Sequence, residues 1–216
     1  MPIDHPAPTR RYRSALRRHQ AAETRRRVVE AALDLFGRRG FAATTFSDVA
    51  NQAGVSVQTV QKHGPKTALL RAAVELAAFG VEGESDLFDT DLGRALLEID
   101  DPDTLADAVG ESMLAINGPT AAVWTAFVGV AYGDPDLRSF HHEFLALVRG
   151  QVQRFLEYVD GRGWLRRDVA FDALVESFCV LTSVESYARF VVLDARPPEE
   201  YCSFVARTVR ATILAT

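Results

Sequence analysis

Between Val57 and Lys66 the sequence VQTVQKHGPK offers a hydrogen-bond donor or acceptor at nearly every step: Gln58, Thr59, Gln61, Lys62, His63 and Lys66. If residues 57–63 form a short helix, only Val60 is an obvious inward side chain. Glutamine can pair bidentately with adenine and valine can touch a thymine methyl. Val57 and Gln58, at the start of the segment, are therefore candidates for base contact. Thr59, Gln61, Lys62, His63 and Lys66, with Thr44 and Thr45 upstream, suit phosphate oxygens. Such contacts set register without reading sequence.

Catalytic chemistry is sparse by comparison. His141-His142-Glu143 is the densest group of potential ligands. Adjacent residues on a helix point about 100° apart, unlike the i, i+4 histidine pair of a zinc-binding helix. The expectation is one core histidine, one surface histidine and no metal. The chain has no G-x-S-x-G, no P-loop and no G-x-G-x-x-G. Asp100-Asp101 and Asp103 read as the start of a helix rather than an acid/base pair. Neither an enzyme nor a cofactor is expected.

Two short helices must hold the polar segment. Thr44 or Thr45 can cap the first, and Asp48 stands three residues after Thr45, as in a capping box. Phe46, Val49, Ala50 and Ala53 mark one face at helical spacing. Gly54 follows where a left-handed C-cap is easiest. Val55 can plug the angle between the helices, and Ser56 can cap the second. A short polar helix propped against an amphipathic one across a glycine turn is the helix-turn-helix pattern, whose second helix enters the DNA major groove. A helix over 21–39 precedes the pair, with Val29, Ala32, Leu33 and Phe36 at i, i+3, i+4 and i+7 and Gly40 at its end. Another starts near Lys66, behind Pro65, with Leu69, Leu70, Ala73, Val74 and Ala77 as its stripe.

At these residues the chain resembles the TetR-type transcriptional regulators. Ala53-Gly54-Val55-Ser56, Thr59, His63, Lys66 and Leu69-Leu70 fall where that family has its DNA-binding signature. Ala31-Ala32-Leu33-Asp34-Leu35-Phe36, Gly40-Phe41, Thr44-Thr45 and Val49-Ala50 match its first two helices. The likeness covers roughly residues 25–73. Two positions depart from it: Gln61 stands where the family usually has a tyrosine that touches a DNA phosphate, and His63 runs directly into Gly64-Pro65 without the usual phenylalanine. The resemblance implies an all-α fold, with a three-helix DNA-binding head ahead of a helical ligand-binding and dimerisation bundle. It also implies a double-stranded DNA partner, a homodimer, and a cavity whose occupant changes the spacing of the two heads.

Charge agrees with a polyanionic partner. Through Arg71 there are 13 Lys/Arg against 5 Asp/Glu, and from Ala72 onward 11 against 24. A basic N-terminal third on an acidic body is the footprint of a module that meets nucleic acid. Residues 1–20, with Pro2, Pro6, Pro8 and five arginines, read as a flexible basic arm. Arg25, Arg26 and Arg27 then lie at a helix start, where cations are disfavoured unless an anion is near. Cys179 and Cys202 are too few for a disulfide framework and are expected as reduced, buried thiols. The N-terminus lacks a signal-peptide pattern, and no apolar run reaches a membrane span. The expected location is the cytoplasm, with no membrane partner.

The remainder reads as helices. Glu82 to Asp103 is acidic and turn-rich, with one short helix, and the domain boundary is placed near Gly80. The expected division is 1–20 arm, 21–80 head and 81–216 body. Helices are expected over 104–117, over 120–132 after Gly118-Pro119, and from Pro135 to about Val159. A long helix over 169–193 and a last one opened by Pro197-Pro198 follow. Phe178, Leu181, Val184, Tyr187, Phe190 and Val191, with Tyr201, Phe204, Val205 and Thr208, are the candidate dimer surface. Met113, Trp124, Phe127, Phe144, Tyr158 and Phe178 are candidates to line a site for a small apolar or aromatic effector of unknown identity. The expected function is a dimeric, ligand-responsive repressor released from a palindromic operator. The alternative is a small-molecule-binding or interaction protein on the same scaffold, with weakened DNA readout.

Overall fold

Caps and apolar stripes place the helices largely where the sequence marks them, and a core shared by head and body then joins them. The computed structural model describes residues 10–83, 86, 88 and 90–215, with side chains from residue 17 onward. Ten α-helices run in order among these residues: α1 Arg10–Ala43, α2 Phe46–Ala53, α3 Val57–Gln61, α4 Lys66–Phe79, α5 Asp91–Leu97, α6 Pro102–Ala131, α7 Pro135–Gly161, α8 Phe171–Leu181, α9 Val184–Tyr187 and α10 Pro198–Thr212. A π-helical turn, Ala188–Leu193, continues α9. The described residues form no strand; a single isolated bridge pairs Leu165 with Leu214.

Residues 10–20 correct the expectation of a flexible arm, because they form the opening turns of α1; residues 1–9 lie outside the described residues. Arg25, Arg26 and Arg27 therefore sit inside a helix rather than at its positive end, and the inference from their position there falls away. Gly40 does end the regular part of α1, with φ 78° and ψ 167°.

Two further helix boundaries were misread. Gly118-Pro119 does not divide the chain: α6 continues through Pro119. A mid-helix proline withholds one N–H and usually kinks or breaks a helix. Here α6 is gripped by α1, α4 and α10 along its length, and Thr120 Oγ1 donates to the Ile116 carbonyl at 2.6 Å. By length and composition α6 could cross a membrane, but its apolar face packs on those neighbours. Conversely, the long helix expected over 169–193 is broken after Leu181. Ser183 starts α9, its Oγ accepting from Ser186 N–H. Asn117 Nδ2 donates to the Thr182 carbonyl at 3.0 Å and to the Ser183 carbonyl at 3.4 Å. The buried amide of α6 thus satisfies the carbonyls freed by the break. It also donates to the Tyr201 hydroxyl at 3.0 Å, whose pKa burial pushes up to about 12.

The apolar core does not stop at Gly80. Leu35 and Phe36 of α1, Val49 of α2, Val60 of α3 and Leu69 and Leu70 of α4 share one cluster with Trp124 and Phe127 of α6 and Phe140 and Phe144 of α7. A second cluster, below it, gathers Val109, Phe155, Leu174, Phe178, Tyr201 and Val205. At Gly37 of α1 an added Cβ would lie 3.2 Å from Ala122 Cβ, so α1 and α6 approach closely. Head and body are coupled through close-packed side chains, which transmit displacement rather than absorb it.

Candidate DNA-reading head and ligand cavity

Thr45 caps α2. Its Oγ1 accepts from Asp48 N–H at 3.1 Å, and its own N–H donates to the Asp48 carboxylate at 2.8 Å. The hydrogen bonds from Thr45 hold the Asp48 carboxyl below the usual carboxylate range. Gly54, at φ 65°, closes α2, and Val55 N–H reaches back to the Ala50 carbonyl at 3.0 Å. Ser56 then caps α3 by accepting from Thr59 N–H at 3.1 Å. Gly64, at φ 109°, allows the tight reversal from α3 into α4; a Cβ there would stand 3.2 Å from Ala68 Cβ. The shortened His63-Gly64-Pro65 junction is thus a glycine turn, and Pro65 leads directly into α4.

Val60 is the buried anchor of α3. Val57, Gln58, Gln61 and Lys62 are exposed, so four predicted contact residues share the outward side of this helix. Thr59 is half-buried, and its hydroxyl lies 2.9 Å from Ser56 Oγ. Thr44 is a correction: it is 1% exposed, and its hydroxyl donates to the Gly40 carbonyl at 2.9 Å. It ties off the end of α1 and presents nothing to a phosphate. Lys66 is also drawn in. Its ammonium lies 4.3 Å from the centre of the Phe41 ring and 3.5 Å from the Ala42 carbonyl, and burial lowers its pKa. His63 is half-buried, its pKa lowered by burial and then by the charge of Arg25. Arg25 grips the Glu82 carboxylate through Nε at 2.9 and 2.8 Å, tying α1 to the chain just beyond α4.

A cavity of about 580 Å³ opens in the body. Of the six candidate ligand residues, Met113, Trp124, Phe144 and Phe178 are among those that line it. Phe127 and Tyr158 do not. Phe127 is fully buried in the upper cluster, and the Tyr158 hydroxyl donates to the Leu97 carbonyl. Ala78 and Phe79, at the end of α4, form part of the wall. Polar residues of the lining were missed: Asn117, Arg149, Gln151, Glu176 and Glu185. Trp124 Nε1 donates to Glu185 Oε1 at 2.8 Å. A buried indole N–H needs an acceptor, so the sequence implied a partner for Trp124 without saying which. The two adjacent histidines divide as expected. His141 is buried against Trp124 and Phe127, its pKa lowered chiefly by burial, while His142 is exposed. No group of three metal-ligating side chains occurs among the described residues.

The candidate dimer residues also divide. Phe178, Leu181, Tyr187, Tyr201 and Val205 are buried within the chain and belong to its own core, though Leu181 also lines a shallow surface groove. Val184, Phe190, Val191, Phe204 and Thr208 are half-buried. Val180 is 62% exposed and lies with Ser177 and Phe204 along a shallow groove between α8 and α10. Cys179 and Cys202 are free, and they are half-buried rather than buried as the sequence suggested.

Residues 28–74 match the model of the bacterial regulatory proteins of the tetR family. The head is thus similar to that of the tetR-family regulators. No curated protein matches the sequence. Among solved structures, a transcriptional regulator from Saccharomonospora viridis in complex with choline is similar, with TM-score 0.70 and 20% identity, over 90% of this chain and 100% of that one. A TetR-family transcriptional regulator from Mesorhizobium loti gives 0.69 and 18% over 88% and 95%. The fatty acid degradation regulator FadR from Bacillus halodurans gives 0.68 and 15% over 88% and 95%. At these identities the likeness is one of fold: a helix-turn-helix head followed by a helical body.

Proposed function

We propose that this tetR-family regulator is a cytoplasmic, dimeric repressor whose α3 helices read two halves of a palindromic operator, and that a small apolar effector in the body releases it. The observation that carries this reading is the shared wall. Ala78 and Phe79 border the cavity at one end of α4, and Lys66, at the other end, follows directly on α3 and its turn. A ligand that favours one position of α4 shifts the head by that differential affinity. Val57 and Gln58 take the base-edge role, and Thr45, Thr59, Gln61, Lys62 and His63 the phosphate role. The exposed faces of α8 and α10, with Val180, Phe204 and Thr208, form the two-fold contact. The division into head and body keeps its place in this scheme, with Gly80 as the C-cap of α4 between them. The choline held by the Saccharomonospora viridis regulator supports a small-molecule site in such a body.

Fluorescence anisotropy of the full chain on duplex DNA from upstream of its own gene, against a scrambled duplex at two salt concentrations, tests this. Selective binding that weakens steeply with salt is expected. Equal weak binding to both, repeated in a genome-wide selection, would refute it. The second reading, a small-molecule-binding protein with weakened DNA readout, draws on one feature: the five-residue α3 is followed by a lysine folded back over Phe41.

A further inference from the structure

We propose that the cavity takes an organic cation with an apolar body, its charged centre held by the Glu185 carboxylate where Trp124 N–H meets it. This rests on the effector-binding reading above and names its chemistry. Most of the wall is hydrocarbon, with Phe79, Met113, Phe144, Val152 and Phe178 around Trp124. Such a wall discriminates poorly among apolar molecules, so its few polar groups decide the choice.

Those groups are unequal. Arg149 is already engaged: its guanidinium meets Glu176 at 2.9 Å and Asp172 at 3.6 Å. Asn117 is committed to Thr182, Ser183 and Tyr201. Glu185 has the Trp124 N–H on one oxygen and no ion pair with any described lysine or arginine, and a carboxylate can accept several more hydrogen bonds. His141 feels its charge, but burial lowers the His141 pKa, so at pH 7 the imidazole leaves Glu185 uncompensated. An anionic ligand would face the Glu185 and Glu176 carboxylates, and an arginine already paired with Glu176 and Asp172. A cation gains the Glu185 charge, and its apolar body gains the hydrocarbon wall.

The test is calorimetry on the full-length protein with decyltrimethylammonium, 1-decanol and decanoate, all below micelle-forming concentrations. The ammonium is expected to bind at least tenfold more tightly than either of the others. Glu185→Gln, whose amide oxygen still accepts from Trp124, is expected to weaken the ammonium about tenfold and leave decanol unchanged. Equal or tighter binding of decanol or decanoate, or indifference to Glu185→Gln, overturns the proposal. Decanol or decanoate binding that quenches Trp124 emission in a Trp164→Phe background would retain the effector cavity and discard the cation. Binding by none of the three would discard both.

Discussion

Gly110 is the most tightly packed of the glycines among the described residues. A Cβ added there would stand 2.6 Å from the Cys202 carbonyl oxygen and 3.3 Å from its carbonyl carbon, both backbone atoms of α10. Ordinary carbon–oxygen contacts lie at about 3.3 Å or more, so Gly110→Ala must move α10 from α6 by roughly 0.7 Å or strain both. Overpacking of this kind costs about 1–3 kcal/mol, and an unyielding backbone neighbour places this site near the upper end. Alanine also raises helix propensity by about 1 kcal/mol, which masks part of the loss. Gly129 separates the two effects. It lies on the same helix and is exposed, with nothing within 4 Å of an added Cβ. Gly129→Ala is therefore expected to stabilise, Gly110→Ala to destabilise, and the pair to differ by about 3 kcal/mol. For a chain of this size that is roughly 6–12 °C in Tm. Thermal unfolding followed by circular dichroism at one protein concentration checks it. If the two variants melt together, α6 and α10 are not in contact at Cys202 and the described body packing is wrong.

Three other outcomes are expected. In the anisotropy assay, Gln58→Ala should lower the preference for the specific duplex. Lys62→Ala should weaken all duplexes alike and reduce the salt slope by about 1; a Lys62→Ala variant with an unchanged slope would remove it from the phosphate set. Thr44→Val should retain DNA binding but cost about 1 kcal/mol in chemical denaturation through its lost hydrogen bond, and selective loss of DNA affinity would restore it to the interface. His141 and His63 are both held neutral, with folded pKa values below the ordinary 6.5. The unfolded chain then binds more protons as pH falls below about 6.5, so stability is full above that pH and declines toward the folded pKa values. His141→Phe should also remove a buried Nε2 that has no partner. It should flatten the dependence between pH 7 and 5, leaving the His63 part; an unaltered profile would show that His141 is solvated.

Local signals were legible in the head because its elements are set by neighbours in sequence. Thr45 with Asp48, Gly54, Ser56 and the Val49–Ala50–Ala53 face each act within a few residues, and the family match over 28–74 follows the same stretch. The body was legible only as helices. Whether Phe178 lines a cavity, joins a core or meets a partner depends on what α6 and α7 bring beside it. Apolar periodicity gives the same answer in all three cases. Thr44, Asn117 and Glu185 mark where tertiary structure alone decides. The Thr44 hydroxyl was claimed by the carbonyl of Gly40. Asn117 broke a helix it does not belong to, across 65 residues. Glu185, on a helix expected to be apolar, became the acceptor a buried indole requires. A polar group leaves water only for a partner, and its partner is chosen by packing in three dimensions, not by spacing along the chain.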